Sequence, residues 1–101
     1  MIFIYTTIGT KREAIALSAK LVKAKLAACV GYWPIESVYE WKGKMRPEKE
    51  YALLVKTTKQ REKAAMDFIR RHHSYELPAI VVVPITDSFA DYRQWVIKST
   101  K

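Results

Sequence analysis

Strand-like and helix-like periodicities alternate along this chain, and their order leaves few architectures open. Ile2 to Tyr5 reads as a first strand that ends on Thr6-Thr7. Thr10 followed by Glu13 has capping-box spacing, and Ala14, Leu17, Leu21 and Val22 form one apolar stripe on a helix running to about Lys25. Leu26 to Tyr32 reads as a buried second strand, interrupted near Pro34. A separate hairpin follows: Ile35 to Trp41, a tight turn at Lys42-Gly43, and a return from Lys44. Glu50 to Thr57 is a strand apolar on both faces, as expected of one covered on both sides. The period then changes, with Ala65, Phe68, Ile69 and His72 on one face of a second helix. Ala79 to Ile85 is a β-branched strand, and Ser88 with Asp91 predicts the cap of a last helix carrying Phe89, Tyr92, Trp95 and Val96.

This order is the split βαβ pattern of an α+β, ferredoxin-like fold. It predicts an antiparallel sheet with two helices on one face, an inserted β-hairpin and a short C-terminal helix. A chain of 101 residues holds one such domain, spanning 1–101. The helix-free face of the sheet is the informative one. Its strands show few polar alternations, and Tyr39, Trp41 and Trp95 add bulk, so a lone chain would expose a large apolar patch. Either copies of the chain cover one another's sheets, or the last helix covers that face alone.

Met1 leads directly into the first strand with no basic, apolar leader, and no apolar run approaches the ~20 residues that span a bilayer. A single Cys29 excludes an intrachain disulfide framework, so a cytoplasmic location is expected. The formal net charge of +8 admits acidic partners, but the basic residues are spread along the chain as on a solvated surface.

Several stretches carry a resemblance: Lys25-Leu26-Ala27-Ala28-Cys29, the Tyr39-Glu40-Trp41-Lys42-Gly43-Lys44 hairpin, Glu50 through Leu54-Val55-Lys56-Thr57-Thr58, and His72-His73-Ser74-Tyr75 with Pro78. With Asp91-Tyr92 and Trp95 added, the chain resembles the CutA family, the divalent-cation tolerance proteins, over essentially its whole length. The resemblance implies a tight homotrimer of ferredoxin-like subunits, similar in architecture to PII signalling proteins. It also implies binding of copper or another divalent cation, with His73, His72 and Thr6 at the matching positions. Thr6 stands where copper-binding members carry a Cys, and a hydroxyl is a poor copper ligand where a thiolate is a strong one.

On the residues themselves, adjacent histidines are a weak metal pattern, since on a helix they point about 100° apart. His72 falls on the apolar face, as a core or helix-end residue would; His73 suits either a metal or a helix C-terminus. Glu50 and Lys56 share a strand face and need partners if buried. With Trp41, Tyr75 and Trp95 they either line an inter-subunit cleft for a small anionic ligand or form a structural ion pair across the trimer, with the aromatics as packing. Cys29, among small apolar neighbours, reads as a buried hydrophobe.

The expected function is therefore a non-catalytic, metal-responsive or PII-like sensing module. The alternative is a single-stranded RNA-binding module of the RRM type, which shares the strand order. Against it, Tyr51-Ala52-Leu53-Leu54-Val55 lacks the aromatic pair on which bases stack. An acylphosphatase-like enzyme would need a phosphate-cradling loop, and Ile8-Gly9-Thr10-Lys11 offers only one Gly and one Lys.

Overall fold

The computed structural model describes all residues, 1–101. In β1 (Ile2–Ile8) the pleat sends Ile2, Ile4, Thr6 and Ile8 into the core and leaves Phe3, Tyr5 and Thr7 half-buried on the opposite face. The first helix, α1 (Lys11–Lys23), starts where the spacing predicts: the Thr10 hydroxyl accepts the Glu13 N–H at 3.2 Å. Ala14, Leu17 and Leu21 are buried, whereas Val22 is exposed and Ser18 takes the fourth buried position. The helix closes in a Schellman arrangement. The Lys25 N–H reaches the Val22 carbonyl and the Leu26 N–H reaches that of Leu21, each at 3.0 Å. This forces Lys25 to φ 60, the left-handed region that glycine adopts without strain.

The next two strands, β2 (Cys29–Trp41) and β3 (Lys44–Thr57), are long and pair without a break from Cys29↔Lys56 to Trp41↔Lys44. The expected interruption at Pro34 and the separate inserted hairpin are therefore not present. The hairpin is the far end of the same two strands. Pro34 is accommodated because β2 is an edge strand, where a missing N–H need cost no ladder bond. Pro47 lies in the part of β3 beyond the end of β1, which likewise has one neighbour only. At the tip, Lys42 (φ 51) and Gly43 (φ 78) form the two-residue type I′ turn that matches strand twist.

After a 3₁₀ turn at Lys59–Arg61 come α2 (Glu62–His72), β4 (Ile80–Pro84) and α3 (Ala90–Ser99). The sheet order is β2-β3-β1-β4 with every pair antiparallel, the ferredoxin-like arrangement. Ile4, Ile8, Leu17, Leu21, Leu53, Val55 and Ile69 form the core between the sheet and helices α1 and α2. Ala65 and Ile69 are buried as expected, but His72 is exposed. The apolar stripe of α2 ends at Ile69, and the His72 ring stacks on Phe68 outside it, with centroids 4.1 Å apart. Ser88 and Asp91 do not cap α3: its N-cap is Phe89, and the Arg93 guanidinium takes both oxygens of Ser88, at 3.2 and 3.1 Å.

Helix α3 covers one end of the helix-free face, where Lys56 Nζ lies 5.9 Å from the Tyr92 ring centroid. Arg61 Nε donates to the Thr100 carbonyl at 2.6 Å and ties the helix end down. The remainder is not sealed: Val81 and Val83, on the face opposite the core, keep 50% and 40% of their surface, and Trp33 is exposed too.

Relief of the left-handed strain at Lys25 gives a first expectation. Lys25→Gly should raise stability by about 0.5–1 kcal/mol, a relief of strain partly offset by the greater entropy of the unfolded chain. Denaturant midpoints at one fixed protein concentration check it, and a lower midpoint would contradict it.

Candidate functional site

The site lies where β1 stops and β3 continues. Ile8 pairs with Tyr51, and the next residue of β3, Glu50, stands at the step. Gly9 follows β1 there, and a side chain at that position would press on the Glu13 carboxylate at 3.2 Å and on the Tyr75 ring at 3.7 Å. The loop after α2 brings Tyr75 over the step, and its hydroxyl donates to Glu50 Oε1 at 2.9 Å. Glu50 is only 7% exposed. Burial, the hydrogen bond to the Glu50 carboxylate and the negative charges of Glu50 and Glu48 all push the Tyr75 phenol well above its ordinary value of 10.0. Tyr75 is therefore held neutral as a donor.

His73 positions this loop. It ends α2 in extended backbone, its Nδ1 accepts the Tyr75 N–H at 3.1 Å, and its Nε2 donates to the Thr7 carbonyl at 2.7 Å. An N–H donor on Nδ1 and a carbonyl on Nε2 fix the neutral tautomer that carries its proton on Nε2. Both nitrogens are thus engaged by backbone. His72 is arranged differently. Its Nδ1 donates to the Phe68 carbonyl at 2.9 Å, which leaves the Nε2 lone pair free on an exposed ring. Thr6 points into the core, fully buried, with no hydrogen-bond partner for its hydroxyl. The three residues expected around a metal thus face three different ways, and no three His, Cys, Asp or Glu side chains cluster anywhere in the chain. Within one chain these donors do not fit a metal ion.

Of the expected cleft residues, Trp41, Glu50 and Tyr75 do come together. With Thr7, Tyr39 and Glu76 they line a cavity of about 480 Å³. Lys56 and Trp95 lie elsewhere, both beside Tyr92; the Trp95 ring stacks on it with centroids 5.7 Å apart. Six residues of strand separate Lys56 from Glu50, roughly 20 Å, so the two form no ion pair within one chain. Within one chain the cavity's only ionisable carboxylates, Glu50 and Glu76, face no basic lining residue. Tyr39 and Glu76 are lining residues that the sequence reading left out. For Tyr39 the sign was present, two residues from Trp41 and so on the same strand face. Cys29 is free and half-buried.

The description "CutA1 divalent ion tolerance protein" belongs to the family model that matches residues 2–99. This chain belongs to the CutA1 family. It is 34% identical over 99 residues to the divalent-cation tolerance protein CutA of Thermotoga maritima, covering 98% of each chain. The structure of CutA from Archaeoglobus fulgidus, described as a periplasmic divalent cation tolerance protein, superposes with a TM-score of 0.97 at 33% identity, covering 100% of both chains. The apo form of a PII-like CutA from Nostoc sp. PCC 7120 superposes at 0.94 with 29% identity, covering 100% of this chain and 98% of that one. These relatives are described as tolerance or PII-like proteins and not as enzymes, and the RNA-binding alternative has no support among them. In agreement, β3 turns Ala52 and Leu54 to the open face, where stacking on bases would need aromatics. No helix of the CutA1 chain is long and apolar enough to cross a membrane.

Two expectations follow from the site. Thr6→Val should stabilise the CutA1 chain by about 1 kcal/mol, since it replaces a buried, unpartnered hydroxyl by a methyl of the same shape; chemical denaturation reads this directly. The raised Tyr75 pKa means that the folded chain holds the phenolic proton more tightly than the unfolded chain. The stability it contributes is complete below the unfolded value near 10.0 and is lost as pH rises toward the folded value. Midpoints measured from about pH 9 to about pH 11 should fall more steeply for the wild type than for Tyr75→Phe.

Proposed function

We propose that this CutA1 chain is a non-catalytic, homotrimeric module of the PII-like kind that responds to divalent cations. The observation that carries the reading is the apolar surface which one chain cannot cover. Val81, Val83 and Trp33 remain exposed on the sheet face away from α1 and α2, and β2 and β4 are both free edges. Open edges beside exposed apolar side chains favour association with further copies. The whole-chain match to divalent-ion tolerance proteins supports the metal part of the reading.

Copper or another divalent ion is the proposed effector, and its donors must come from more than one subunit because a single chain assembles no such set. Of the two histidines, His72 is the better placed. Its Nδ1–H is held by a backbone carbonyl and its Nε2 is open, the usual arrangement of a metal-binding imidazole. His73 would have to give up the Thr7 carbonyl or the Tyr75 N–H first. Cys29, unpaired within the chain, suits a reducing cytoplasm.

Native mass spectrometry with and without copper(II) tests both parts. A mass of three chains is expected at micromolar concentration, with added copper reduced in His72→Ala and retained in His73→Ala. A monomer would remove the assembly, and an unchanged mass on copper addition would remove the metal.

A further inference from the structure

The basic residues are dispersed in the sequence but gathered in the fold. Residues 11–25 hold Lys11, Arg12, Lys20, Lys23 and Lys25 against a single acid, Glu13. Residues 59–71 hold Lys59, Arg61, Lys63, Arg70 and Arg71 against Glu62 and Asp67. These two segments, α1 and α2 with their flanking turns, therefore carry +7 of the net charge of +8 and leave +1 for the rest of the chain. The two ion pairs of the chain take Lys59 and Lys63, and Arg61 is tied to the Thr100 carbonyl. The other seven cations are exposed and form no ion pair. Helix stability accounts for part of this pattern, since Lys20, Lys23, Arg70 and Arg71 stand in last turns, where the helix field favours a cation. Lys11 and Arg12 stand in the first turn of α1, where it does not. The layer also lies on the opposite side of the sheet from the apolar face that further copies would cover.

A field of one sign along α1, 13 residues or about 20 Å, fits a partner whose negative charge is repeated rather than a single anion. The layer is furrowed: an open groove of about 550 Å³ runs between Leu26 and Ala64, Asp67, Arg70 and Arg71. Lys63 answers Asp67, its only carboxylate, at 3.1 Å, and the two arginines remain for phosphate oxygens. A ridge of phosphates enters a furrow where a flat bilayer surface does not. For insertion into a bilayer the layer exposes only Ile15 and Val22 among its large apolar side chains. Single strands need exposed aromatic rings on which bases stack, and Phe68 is already covered by His72 and Arg71. A duplex keeps its bases inside and presents one negative charge per ~1.7 Å of its axis. Lys and Arg suit its phosphates better than the 2′-hydroxyls through which duplex RNA is recognised.

We infer that the α1–α2 layer binds double-stranded DNA along its phosphate backbone, without reading base sequence. This is the face opposite to the one on which an RRM would stack single-stranded RNA. The inference goes beyond the proposed function and stands apart from it, because it uses neither the histidines, nor the cavity, nor a metal.

Fluorescence anisotropy of a labelled DNA duplex of about 24 base pairs and mixed sequence, titrated with the full chain from about 50 mM salt upward, tests it. The logarithm of the association constant should fall against that of the salt concentration with a slope of about −4, as for four or five neutralised phosphates. Arg70→Gln/Arg71→Gln and Lys20→Gln/Lys23→Gln should each weaken binding about tenfold and make the slope shallower by about two. Lys98→Gln/Lys101→Gln removes the same charge from exposed positions at the end of α3 and should leave the affinity within about twofold. The inference is overturned if the duplex does not bind, if both layer variants bind as the wild type does, or if the Lys98/Lys101 variant is weakened as much as they are. It is also overturned if single-stranded DNA or an RNA duplex of the same length binds more tightly, or if phosphatidylserine–phosphatidylcholine vesicles displace the duplex at equal phosphate concentration.

Discussion

Strand β3 is twice as long as strand β1, fourteen residues against seven, and much of the molecule follows from that mismatch. Where the two overlap, β3 is an interior strand and supplies Leu53 and Val55 to the core. Where β1 has ended, β3 has only β2 beside it, and the pair leaves the body as a two-stranded arm. Such ribbons are marginal in water by themselves. The step between the two regimes is also where backbone neighbours run out, and Gly9, Tyr75 and His73 gather around Glu50 in the space that results.

His73 links the body to this step. One imidazole joins the last residues of β1 to the loop after α2, through the Thr7 carbonyl and the Tyr75 N–H. In the sequence, adjacent histidines in a metal-tolerance family invite assignment as ligands. In the fold they divide the work: His73 is a structural brace, and His72 lies outside the core with one nitrogen unclaimed. The difference comes from where α2 ends, because His73 is already in extended backbone.

The features legible in the sequence are those set by near neighbours. Thr10 with Glu13, Lys42-Gly43, the Ala65–Ile69 stripe and the strand order all act over a few residues and are found where expected. Pro34 misleads because its tolerance depends on β2 being an edge, which only the assembled sheet determines. Alternation places Glu50 and Lys56 on one strand face but does not show that six residues of strand hold them apart within a chain, so that only a neighbouring copy can bring one to the other. Ser88 lost its capping role to Arg93, a competitor five residues away. The meeting of Tyr75 with Glu50 spans 25 residues of sequence and has no local sign.

The unbroken pairing of β2 with β3 ties the composition of the cavity to arithmetic at the far tip. Thirteen rungs run from Cys29↔Lys56 to Trp41↔Lys44 without a bulge, and the loop that closes them is two residues long. Gain or loss of one residue in that loop, if the ladder re-pairs behind it, reverses the parity of one strand. Tyr39 and Trp41 would then change sides together relative to Glu50. Where the ladder re-pairs, the arm therefore keeps Tyr39 and Trp41 on the side of Glu50 only by even steps or with a compensating bulge, whereas a longer loop absorbs a single residue with the register unchanged.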